Sequence, residues 1–262
     1  MLFSQPSHQH YTHSPLAEVV CQLRFPTILS IDAQPPAAYQ ETIRQSFPNY
    51  QLRRELLPPR ITGLGTPNPK VEQQPSIANY CFLSADGLWQ LNLTQDFISL
   101  STRAYPGWHD FAARLDQPLA SFIKLYQPSF FQRIGLRYVN AVSRKALDLT
   151  GTPWRELIAP AYLGVLQEED LAESALSRGT VDTEFTLNSS CRAKIHAGPG
   201  LLKRPVPGAA PDPESRFILD MDLSMGGNVN PALAAPGLET LHDFAQRLFQ
   251  GAITDQLHQA ML

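Results

Sequence analysis

Apolar residues alternate with the rest along Val19, Cys21, Leu23 and Phe25, with Val20, Gln22 and Arg24 between them, so the chain opens with a half-buried strand that Pro26 ends. A helix is predicted next, from Pro35-Pro36 through Arg44, because prolines suit the entry position and Phe47-Pro48 supplies a stop. Gln51 to Leu56 reads as a short strand, and the Pro- and Gly-punctuated stretch from Pro58 to Pro75 as a long loop. Tyr80-Cys81-Phe82-Leu83 and Leu88 to Thr94 flank Ala85-Asp86-Gly87, and Asp-Gly between apolar runs favours a tight hairpin turn. Phe97 to Ser101 adds a strand, and Pro106-Gly107 opens a long helix.

The back half repeats this order. Phe131 to Val139 is its opening strand, and Pro153 to Ile158 starts a short helix in the same place after it. An extra helical stretch is predicted over Gln167 to Leu176, followed by alternating strands over Thr180 to Leu187 and Cys191 to His196. Gly198 to Glu214, rich in glycine, proline and alanine around Lys203-Arg204, reads as an unordered loop. Arg216 to Leu223 is a further strand before the last helix. Each half also closes on one phrase: His109-Asp110-Phe111-Ala112-Ala113-Arg114-Leu115 returns as His242-Asp243-Phe244-Ala245-Gln246-Arg247-Leu248, identical at six of seven positions. The expected fold class is α+β: two pseudo-repeats of strand-helix-strands-helix, residues 1–128 and 129–262, forming one compact unit with a mostly antiparallel curved sheet and long helices on one side.

On a helix the phrase places Phe111 with Leu115, and Phe244 with Leu248, on one face. It spaces Asp110 to Arg114 and Asp243 to Arg247 for i,i+4 ion pairs. These relations are those of a scaffold, and His109 and His242 are read the same way, since neither has a second histidine at i+4.

Composition narrows the function. The chain has 262 residues, 43% hydrophobic and 17% charged, ample for a core, and its formal net charge of -3 gives no global pull toward phosphate backbones or anionic lipid. Cys21, Cys81 and Cys191 lie far apart with no Cys-x-x-Cys spacing, which fits reduced, buried thiols in a reducing compartment. With neither a signal-peptide pattern nor an apolar run of membrane-spanning length, the expected location is cytoplasmic, with no membrane partner.

Four acids are the best candidates for chemistry. Asp220 and Asp222 share one face of their strand, as Asp182 and Glu184 do of theirs. On neighbouring strands the four could gather a hard cation such as magnesium and serve a metal-dependent nuclease or phosphodiesterase. The preferred alternative is a solvated sheet face on which they pair with Arg192 and Lys194, leaving no catalytic residue, cofactor or metal. Arg133, Arg137 and Tyr138 with Arg144 and Lys145 form the one basic, aromatic-bearing set resembling an RNA or DNA contact surface, although such arginines often pair with acids such as Asp220. His8, His10 and His13 sit in a polar terminus where disorder is the default.

The element order resembles the duplicated helix-grip folds of the TATA-binding-protein type. Pro15 to Phe25, Gly135 to Asn140, Leu219 to Asp222, Leu241 to Phe244 and Ile253-Thr254 together resemble an uncharacterised, sporadically distributed prokaryotic family of conserved hypothetical proteins of about this length. Such a distribution implies carriage on mobile elements or in defence-type gene cassettes, with a protein partner encoded nearby, and supplies no cofactor or catalytic residue. The expected function is therefore a non-enzymatic binding or adaptor protein acting through its sheet surface or the loops after Pro58 and Gly198, with nucleic-acid binding less favoured.

Overall fold

The computed structural model describes residues 11–56, 58–63, 65, 70–72, 76–202 and 213–262. The front half runs β1 (Leu16–Arg24), α1 (Leu29–Ala33), α2 (Ala37–Ile43), β2 (Asn49–Glu55), β3 (Arg60–Thr62), β4 (Lys70–Glu72), β5 (Ile77–Leu83), β6 (Trp89–Leu93), β7 (Phe97–Thr102) and α3 (Trp108–Tyr126). The back half runs β8 (Phe131–Val142), α4 (Trp154–Leu157), three short 3-10 turns, β9 (Val181–Thr186), β10 (Cys191–Leu201), β11 (Ser215–Val229), a further 3-10 turn, α5 (Ala234–Ala252) and α6 (Asp255–Met261).

Nine strands form one open antiparallel sheet in the order β2-β5-β6-β7-β1-β8-β11-β10-β9. The two opening strands, β1 and β8, pair at its centre, and the later strands of each half fan outward from them in mirrored order, with β2 an extra edge on the front side. This is the expected α+β arrangement of repeated strand-helix-strands-helix order.

Strand alternation divides the sheet cleanly. One row across it reads Phe82, Leu91, Leu100, Cys21, Leu136, Leu223, Ala193, Phe185, and this apolar face takes the helices. Phe111 of α3 packs on Trp89 with ring centroids 5.6 Å apart, and Phe122 on Phe25 at 4.7 Å. Helix α5 lies over β8 and β11, where Gly237 lets the backbone approach: a Cβ there would meet Met225 Sδ at 3.2 Å. Buried residues of both halves join in one hydrophobic cluster. All three cysteines are buried and none is in a disulfide.

Several local expectations change. The stretch after Pro58 carries a small antiparallel hairpin, β3 with β4, where a plain loop was expected. The helix predicted over Gln167 to Leu176 is two 3-10 turns, Gly164–Gln167 and Glu173–Ala175. The predicted loop from Gly198 is strand up to Leu201, because β10 continues along β11. Lys203, Arg204, His8 and His10 lie outside the described residues. Among the described residues, no helix is long and apolar enough to cross a membrane.

Candidate functional site

The open face of the sheet changes character at its centre. One row reads Gln90, Ser101 and Val20 across the front strands, then Arg137, Asp222, Lys194 and Glu184 across the back ones. Signs alternate strand by strand along this row. Arg137 donates to both oxygens of Asp220, at 2.7 and 2.5 Å, and these bonds hold its guanidinium more firmly charged than usual. Arg133 donates to Asp222 at 2.6 Å, its guanidinium lying over Gly135, where a Cβ would stand 2.1 Å from Nη1. Asp182 pairs with His196 Nδ1 at 2.8 Å.

This geometry corrects one expectation. Strand β10 separates Asp182 and Glu184 from Asp220 and Asp222, so the four carboxylates do not converge. Among the described residues no group of three or more His, Cys, Asp or Glu side chains could hold a metal ion. In the basic set the alternative named with it, pairing with acids such as Asp220, is what forms. Arg133 and Arg137 are neutralised as above, while Arg144 lies 4.2 Å from the Trp154 ring centroid and bonds Glu173 at 2.8 Å, clamping the segment after β8. Lys145 is exposed, with its backbone N–H on Glu214. The preferred pairing is also adjusted: the β11 acids take arginines from β8 rather than Arg192 and Lys194.

What the fold does assemble is a cleft of about 640 Å³ on the helix side, between the start of α3, one face of α5, strands β8 and β11, and the segment leading into β1. Helix α5 supplies Glu239, His242, Asp243 and Gln246, spaced i, i+3, i+4 and i+7, so they share the face turned to the cleft. Leu238, Leu241 and Leu248 meanwhile bury toward the core.

His242 is the pivot. Its Nδ1 shares a 2.7 Å hydrogen bond with the Tyr138 hydroxyl, and its ring stacks on Trp108 with centroids 4.6 Å apart and planes 9° apart. Trp108 in turn donates its indole N–H to Glu239 Oε2 at 2.7 Å. Tyr105 stands at right angles to Tyr138 at 5.9 Å, its hydroxyl near the other without full hydrogen-bond geometry. Burial pushes the Tyr105 phenol up to about 12, and burial pushes Tyr138 well above its usual range, with Tyr105 adding a smaller push and Glu239 the least. Both are neutral phenols at physiological pH.

The N-terminal segment forms the outer wall. Tyr11 meets His258 Nδ1 of α6 at 3.0 Å and sets its ring edge-on to Phe249 at 5.9 Å, while the His13 backbone N–H donates to Met261. His13 is exposed and serves this wall through its backbone.

No family model matches this chain, and no curated protein does. Residues from distant parts of the sequence meet here: Pro15, Leu16, Tyr138, Asn140, Met221, His242 and Asp243 all line the cleft. The sequence reading assigned His109 and His242 to scaffold. His109 sits exposed at the rim and His242 is buried at the floor. Trp108, Glu239, Tyr105 and Tyr11 were missed. Trp108 stands beside the repeated phrase and Glu239 one turn before its second copy, so the available signal was helical spacing from His242.

Proposed function

We propose that this is a non-enzymatic binding protein, an adaptor that receives a protein partner at the cleft between α3, α5 and the sheet. The observation that carries the reading is the fixed aromatic floor: His242 is clamped by Tyr138 on one side and Trp108 on another, and Trp108 is pinned by Glu239. Rings held this way present a preformed surface, which lowers the ordering entropy a partner must overcome. The same bonds commit His242 and Glu239 to holding the wall, which favours binding over proton transfer. A cytoplasmic setting and a partner encoded nearby, as on a mobile element or in a defence cassette, are further parts of this proposal and rest on the resemblance of Pro15 to Phe25 and Gly135 to Asn140.

A photoreactive residue placed at Gln246, inside the cleft, and another at Glu184, on the open face, test it in the native cells. Gln246 should cross-link one dominant partner that Thr12→Trp, filling the mouth from an exposed position, abolishes. Equal labelling from both positions, or none from Gln246, rules the reading out.

A further inference from the structure

We infer that the cleft selects a cation, an ammonium or guanidinium group carried on an apolar stem. The inference deepens the binding reading and rests on the cleft being the site. Five aromatic side chains line it, Tyr11, Tyr105, Trp108, Tyr138 and Phe249; the faces of Trp108 are stacked on His242 and Phe111, and the face of any ring that an occupant reaches carries the negative side of the aromatic quadrupole. Glu239 and Asp243 add two carboxylates one turn apart on α5. Among the described lining residues there is no lysine or arginine to answer them, His109 and His242 being the basic side chains there, in contrast to the open face, where the acids of β11 stand beside Arg133 and Arg137.

The lining therefore discriminates by sign. An anion entering would face two carboxylates without a counter-charge, and a purely apolar occupant would strip water from Glu239 and return nothing. A cation gains on both counts. Trp108 takes one oxygen of Glu239, Oε2, and no described side chain takes the other, so a charged acceptor remains for the occupant. Its field already reaches the floor, where it contributes to raising the Tyr138 phenol. The volume, about 640 Å³, suits a drug-sized molecule or one long side chain with its neighbours.

Calorimetry on the intact chain tests this with three small probes of one aromatic stem, benzyltrimethylammonium, benzyl alcohol and phenylacetate, and with the peptides Ac-Phe-Arg-Phe-NH2 and Ac-Phe-Glu-Phe-NH2. Benzyltrimethylammonium should bind more tightly than the alcohol, and phenylacetate most weakly. Glu239→Gln combined with Asp243→Asn should lower the cation's affinity about tenfold while leaving the alcohol's unchanged. Both changes are at exposed positions, and the carboxamide oxygen that Glu239→Gln introduces can still accept the Trp108 N–H, so the fold is preserved.

Tighter binding of the arginine peptide than of the amine assigns the cation to a partner's side chain, and the reverse assigns it to a free amine; either supports the sign selectivity. Phenylacetate binding as well as the amine, an affinity unmoved in the double variant, or no binding of either cation overturns it. Should the cation probes fail while Gln246 still cross-links a partner, this inference falls and the binding reading stands. Cation binding with no cross-link from Gln246 would remove the partner reading and keep the cleft's chemistry.

Discussion

The repeated phrase does two different jobs. In the front copy Phe111 is fully buried between Trp89, Tyr105 and Trp108, while His109 stands exposed. In the back copy the roles invert: His242 is buried and Phe244 only half so, packed at the margin of the core. The physical cause is registration. His109 is the second residue of α3 and His242 the ninth of α5, an offset of seven residues, or about two turns. Equivalent letters thus meet non-equivalent neighbours, and the mirrored strand order around β1 and β8, rather than the phrase, is what relates the halves. The expected Asp110–Arg114 ion pair is also not formed: Arg114 turns its guanidinium over the Trp89 ring at 4.7 Å.

The sharpest way to break this comparison is to delete the same ring from each copy. Phe111→Ala should destabilise the protein by about 3–5 kcal/mol, through lost burial plus a cavity enclosed by other aromatics. Phe244→Ala should cost about 1–2 kcal/mol, because water already reaches that ring and less cavity is left. Urea midpoints of the two variants at one pH measure the gap. Equal losses would mean that the copies are energetically equivalent and that the inversion is unimportant.

The histidines give the next contrast. Tyr138→Phe removes the hydroxyl bonded to buried His242 and should cost about 1–3 kcal/mol, the range for an abandoned buried polar group. His109→Ala, at an exposed helix start, should change stability by less than about 0.5 kcal/mol. Thermal unfolding of both resolves the difference. If His109→Ala is the costlier, the rim histidine has a partner that the packing does not reveal.

Strand alternation made most of the fold legible. Val19, Cys21, Leu23 and the run from Arg216 to Leu223 announce one buried face, and Asp86-Gly87 announces its hairpin, with Gly87 at φ 69. Two kinds of feature stayed hidden. The turns after Gly164 depend on tertiary anchors such as Glu173, which bonds both Arg144 and the Trp154 backbone across the fold. The cleft depends on residues up to 247 positions apart, as in the bond between Tyr11 and His258, and no local period encodes such a meeting. Charge pairing was legible in part: the expectation that arginines of the Arg133 and Arg137 strand pair with acids such as Asp220 holds for Arg137, whereas Arg192 and Lys194, also offered to the acids, are not the partners that sheet order places on Asp220 and Asp222.

The smallest expected effect separates the halves by electrostatics rather than packing. Asp86 in the front half and Asp182 in the back both have carboxyls held below the ordinary carboxylate range, for unlike reasons. At Asp86 the leading cause is the Ser84 hydroxyl, which donates at 2.5 Å, followed by the Leu88 backbone N–H at 3.0 Å, both neutral donors. At Asp182 the leading cause is the His196 ring. A depressed folded-state value means that each acid's contribution is complete above its unfolded value, near pH ~3.9, and is lost as pH falls through the lower folded value. Wild-type stability should therefore decline in strongly acid solution, and Asp86→Asn and Asp182→Asn should each flatten that decline. Salt distinguishes them. Raising ionic strength from about 0.1 M to 1 M shortens the screening length from about 10 Å to about 3 Å, which weakens an exposed charge pair but leaves neutral donors to a carboxylate nearly untouched. The flattening in Asp182→Asn should thus shrink in high salt and that in Asp86→Asn persist, read from urea midpoints between about pH 5 and 2 at the two salt levels. Identical salt responses would place both acids under the same control and erase the distinction between a turn that bonds its own carboxylate and a face that balances charge against charge.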